Sequence, residues 1–99
     1  MAQQMTQSAM VTIYVPRALR AYCDGSPELS IAAPSVRAAL QEVERRHPLL
    51  YLSICDETGT VRRHVNLFVN TAHVRDLQGL DTALKSGDEI IVLPAVSGG

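Results

Sequence analysis

Only one stretch of this chain repeats its apolar residues at helical spacing. Val36, Ala39, Leu40 and Val43 recur at i, i+3, i+4 and i+7, which sets them along one face of a helix. Ser35 stands where an N-cap is needed. Glu42 and Arg46 are four apart in the favourable order, and Arg45 and Arg46 suit the negative end of the helix dipole. Pro48 biases His47 out of helical geometry, so the helix should stop there. The segments around this stripe read mostly as strands and turns. A chain with one main helix has to bury that helix against a sheet.

The strand signals come on both sides of it. Residues 10–15 are β-branched and aromatic, with Val11, Ile13 and Val15 on one face and Thr12 and Tyr14 on the other. Pro16 ends that run. A turn cluster at 23–27 precedes a second short strand at 28–32, which predicts an antiparallel hairpin with a short connection. Beyond the helix lie a short apolar run at 49–54 and a turn at 56–60, expected as a hairpin tip. Residues 64–70 alternate most clearly, with Val65, Leu67 and Val69 inward and Asn66, Phe68 and Asn70 outward. Residues 71–87 read as polar loop with a short helical turn, anchored by Leu77, Leu80 and Leu84. A turn at 86–88 leads to the last strand, 89–93, broken at Pro94.

This order predicts an α+β domain of the β-grasp type, a mixed sheet of four to five strands packed on one main helix. The last strand should lie beside the first in the middle of the sheet. The expected boundaries are a disordered polar tail at 1–9, the domain at 10–95 and a flexible tail at 96–99.

Composition narrows the function. With 99 residues and a net charge of −1, the chain has no bulk charge for nucleic acid. No apolar run approaches the ~20 residues of a membrane span. The first residues lack both a basic and an apolar signal-peptide region, so a cytoplasmic protein is expected. Cys23 and Cys55 read as reduced thiols, and His47, His64 and His73 have no metal-ligand spacing. The carboxylates are dispersed and no glycine-rich phosphate loop is present. No catalytic side chain, metal or bound cofactor is therefore expected.

The chain ends in Leu93-Pro94-Ala95-Val96-Ser97-Gly98-Gly99. Two terminal glycines arise by chance in roughly 0.5% of chains, and a side-chain-free tail can be threaded into a narrow site of another protein. Together with residues 80–90, containing Leu80, Leu84 and the Gly87-Asp88 turn, this block resembles the C-terminal signature of the MoaD/ThiS family of ubiquitin-like sulfur carriers. Residues 63–70 with Val74 and Arg75 resemble the middle region of its longer, CysO-type members. Ser97 stands where that subgroup often has alanine.

The resemblance implies chemistry at the Gly99 carboxylate, with Gly98 beside it. An E1-like enzyme would use ATP to adenylate Gly99, and sulfur would replace AMP to leave a thiocarboxylate. A PLP-dependent synthase would accept the sulfur, and a zinc-dependent peptidase would release the product. The CysO-like middle favours cysteine or another sulfur metabolite over thiazole or molybdopterin. The carrier would be a recharged protein substrate and no enzyme. A ubiquitin-like modifier joined to lysines would use the same tail, and an inert interaction module would use none of it.

One surface joins the tail as a candidate site. If the helix covers the inward residues, then Tyr14, Phe68, Ile91 and Leu93 face away from it and offer a partner-docking surface. A covering loop or scattered exposure would give the same sequence pattern. Arg62, Arg63 and Arg75 suit an acidic partner surface, guidance of the tail, or a solvated charged edge.

Overall fold

Ser35 caps the main helix as expected: its hydroxyl accepts a hydrogen bond of 3.1 Å from the Ala38 N–H. The computed structural model describes residues 9–94. In it the helix, α1, spans Val36–Arg46 and buries Val36, Ala39, Leu40 and Val43. Glu42 pairs with Arg45 and Arg46 on its outer side. Those two guanidiniums pull the Glu42 carboxyl down to about 2.

The sheet has five strands: β1 (Ala9–Tyr14), β2 (Glu28–Ala33), β3 (Val65–Val69), β4 (Ala72–His73) and β5 (Glu89–Pro94). Their order is β2-β1-β5-β3-β4. The last strand does lie in the middle, parallel to β1 and antiparallel to β3. This is the mixed sheet of a ubiquitin-like β-grasp fold. Its inward residues Val11, Ile13, Leu67, Ile90 and Val92 are at most 2% exposed and form the core with Ile31, Leu40 and Val43.

Several details differ from what the sequence predicts. Ala9, expected in the polar tail, belongs to β1, opposite Ala33, and is buried; the rest of the expected tail lies outside the described residues. The β1–β2 connection is long: a 3-10 helix at Arg17–Cys23 fills it, tied back by Arg20 Nε donating to the Val15 carbonyl. The apolar run after Pro48 is a second helix, α2 (Pro48–Ile54), with proline in its first turn and Leu50 and Ile54 buried one turn apart. Six residues are too few for period to separate strand from helix. The turn at 56–60 closes on a single bridge between Cys55 and Val61. Leu77 is 41% exposed and anchors nothing; Val74 and Leu84 are the buried anchors of that region.

The segment at 71–87 is also more ordered than a loop. It contains β4 and two 3-10 turns, Val74–Asp76 and Gly79–Asp81. Both cysteines are buried, free thiols, and burial pushes both thiols up. Among the described residues no helix is long and apolar enough to cross a membrane.

Candidate functional site

Strand alternation sends one set of side chains to the helices and the other to the open face. Tyr14, Phe68 and Ile91 are half-buried on that face, and Leu93 is 46% exposed. The register gathers them. Tyr14 lies opposite Ile91, Ile91 opposite Phe68, and Phe68 opposite His73, so one row crosses four strands. Leu93 stands two residues further along β5, opposite Asn66. Met10, 52% exposed, carries the apolar surface along β1. The four residues expected to form the docking surface, Tyr14, Phe68, Ile91 and Leu93, therefore lie on one face, with Ile91 flanked on both sides by aromatic neighbours.

Polar groups fix the edges of the row. The Tyr14 hydroxyl donates to Glu89 Oε2 at 3.1 Å. That bond to a carboxylate, and the carboxylate's charge, push the Tyr14 phenol up. His73 meets Phe68 edge to face, with ring centroids 5.1 Å apart. Its Nδ1 accepts from the Arg75 N–H at 3.1 Å, so in the neutral ring Nε2 carries the proton and donates to Asn66 Oδ1 at 3.0 Å.

The start of β5 is held by a lock that the sequence reading missed. Asn70, expected only as an outward strand residue, takes φ 57° at the β3–β4 turn, a left-handed conformation that asparagine tolerates better than most residues. Its backbone N–H donates to the Glu89 carbonyl at 2.7 Å. Its side-chain oxygen accepts from the Glu89 N–H at 3.0 Å, and its amide donates to Asp88 Oδ1 at 3.1 Å. Asp88 Oδ2 accepts from the Lys85 N–H at 2.8 Å. The Lys85 N–H first, and the Asn70 amide second, hold the Asp88 carboxyl below the usual range. The available signal was the Asn70-Thr71 pair between two extended runs.

β5 is thus fixed at its first residue, paired with β1 over Glu89–Ile91 and with β3 over Ile90–Pro94, where Pro94 meets Val65. Residues 95–99 continue from this central strand. Gly98 and Gly99 lie outside the described residues. Among the described residues no cluster of histidine, cysteine or carboxylate side chains could hold a metal ion. The open face offers contact area, with no activated nucleophile on it.

Three comparisons bear on this arrangement. The ThiS family model matches residues 20–99. The sulfur carrier protein CysO of Mycobacterium tuberculosis is 33% identical over 91 residues, which cover 90% of this chain and 98% of CysO. Its crystal structure has a TM-score of 0.80 at 32% identity, covering 87% of this chain and 99% of that one. A chain of the Amycolatopsis orientalis BexX/CysO complex has a TM-score of 0.82 at 32% identity, covering 90% of this chain and 99% of that one. The small archaeal modifier protein 1 of Methanosarcina acetivorans has a TM-score of 0.83 at 31% identity, covering 95% of this chain and all of that one.

Proposed function

The chain belongs to the ThiS family, and we propose that it is a sulfur carrier of the CysO type that works through the carboxylate of Gly99. The observation that carries this reading is the family match itself. It runs through the central strand β5 and on to residue 99.

A free carboxylate is a poor electrophile. In the proposed cycle a Gly99 carboxylate oxygen attacks the α-phosphorus of ATP and pyrophosphate leaves. Sulfide then displaces AMP from the acyl carbon and leaves a thiocarboxylate. ATP is bound by an E1-like activating enzyme, and the chain supplies the handle. β5 gives the tail a rigid root, and glycines let it enter a site that side chains would block. The row of Tyr14, Ile91 and Phe68, with Leu93 nearer the tail, is the surface proposed to dock that enzyme. The CysO-type match favours cysteine or a related sulfur metabolite as product. A PLP-dependent synthase would then accept the sulfur, a zinc-dependent peptidase would release the product, and the cycle would run in the cytoplasm.

The likeness to an archaeal modifier protein favours a second reading, conjugation of Gly99 to lysines. Intact mass spectrometry separates the two. The protein is incubated with its activating enzyme, ATP and a sulfur donor. An oxygen-for-sulfur mass increase at the C-terminus supports the carrier, lysine adducts of higher mass support the modifier, and an unchanged mass in all conditions rejects both.

A further inference from the structure

Arg62, Arg63 and Arg75 are drawn from two separate segments and meet around one groove of about 300 Å³ on the β3–β4 side of the sheet. Val61, Val74 and Leu80 supply apolar lining, and no aspartate or glutamate lines it. β4 covers only Phe68 and Val69 of β3, so residues 65–67, paired with β5 on their other edge, form a groove wall with no strand on the β4 side.

Among the described residues the three arginines make no internal ion pair. Those among the described residues join Arg37 to Asp81, and Arg45 and Arg46 to Glu42. Arg62 Nε donates to the Leu52 carbonyl at 2.6 Å, which anchors that guanidinium at the groove. Asp56 feels the Arg62 charge but commits Oδ1 to Thr58 and Thr60. A chain of net charge −1 thus keeps a local positive site over an apolar floor.

We propose that this groove receives an acidic segment of a partner protein, with carboxylates on the arginines and an apolar side chain on Val61, Val74 and Leu80. The volume is at the lower end of the ~300–1,000 Å³ range of ligand pockets, enough for a few side chains. Arginine's planar fork matches carboxylate geometry. A nucleic acid would use the charge but not the apolar floor, and its extended phosphates would meet a net-negative protein. The groove is built from side chains at 61–80 and takes no part in the chemistry proposed for the Gly99 carboxylate, so the inference goes beyond the carrier reading and stands or falls separately from it.

The test is an NMR titration of the whole labelled protein with a peptide carrying one leucine between glutamates, and separately with inorganic phosphate and a short single-stranded RNA. The expected result is saturable amide shifts centred on Arg62, Arg63, Val74 and Arg75. Binding should weaken roughly tenfold in the Arg63→Glu/Arg75→Glu variant and persist in Arg63→Lys/Arg75→Lys. It should also fade in high salt, as the Debye length falls from about 10 Å at 0.1 M to about 3 Å at 1 M. Both arginines are exposed, so the variants should keep the wild-type circular dichroism. Shifts centred on Tyr14 and Phe68, equal binding by the charge-reversed variant, phosphate or RNA binding as tightly as the peptide, or no peptide binding would each overturn the proposal.

Discussion

Asn70 and Asp88 join the end of β3 to the start of β5: the Asn70 amide donates to the Asp88 carboxylate across 3.1 Å. Because Asp88 also accepts the Lys85 N–H, one side chain closes a turn and ties two strands. Asp88→Ala should cost about 1–2 kcal/mol, since hydrogen bonds to a charged group exceed neutral ones and this carboxylate is partly exposed. For a domain of this size that is a fall of roughly 5–10 °C in Tm. Calorimetry checks it, and an unchanged Tm would remove the lock from the account of how β5 is held.

Acid should weaken the fold through the same kind of carboxylate. Glu42 is held down to about 2 by Arg45 and Arg46. Hydrogen bonds from Thr58, and from the Lys85 N–H, lower Asp56 and Asp88. A carboxyl depressed in the folded state binds fewer protons there than in the unfolded chain. Its stabilisation is present above the unfolded value and is lost as pH falls through the folded one. The urea midpoint should therefore be level from pH 7 to about 5 and drop below about pH 4.5. Glu42→Gln should flatten part of that drop, and a midpoint that stays level to pH ~2.5 would contradict the assignment.

Phe68 tests the open face. It is half-buried, packs on His73 and lies opposite Ile91. Phe68→Asp should cost about 1 kcal/mol of stability, the span of strand preference, and leave the fold intact. If the row docks the activating enzyme, binding should lose about 2 kcal/mol or more, the size of an interface hot spot. Calorimetric titration beside a thermal melt separates the two effects. Wild-type affinity would take Phe68 out of the interface.

Gly99→Ala tests the tail. A Cβ beside the reacting carboxylate would displace it in a site shaped for bare backbone, and misplacement of about 1 Å can cost roughly a hundredfold in rate. Single-turnover adenylation followed by intact mass reads this directly. An unchanged rate would defeat the steric argument.

Ser35→Ala should lower stability by about 1 kcal/mol through loss of the N-cap on α1. Ser35→Asn should restore most of it, and urea denaturation of the three proteins makes the comparison.

The parts legible in the sequence were those whose side chains alternate between core and solvent. α1 has one buried stripe, and β1, β3 and β5 bury every second residue. That alternation also found Tyr14, Phe68, Ile91 and Leu93. Short elements carry too few residues to show a period, which hid α2 and the two-residue β4. Val74 was missed and Leu77 wrongly favoured because no repeat marks the buried side of an irregular segment. The convergence of Arg62, Arg63 and Arg75 on one groove is a tertiary event: β3 and β4 must fold before they meet.

The parallel pairing of Ile13 with Ile90 places late sequence beside early sequence. Non-local pairing of this kind makes folding slower than local contacts do. During synthesis β1 and β3 emerge before the strand they share, and the core closes only when β5 arrives. A chain cut before Glu89 would lack the middle of its sheet as well as the tail proposed to be charged, so closure of the core and the presence of that tail depend on the same strand.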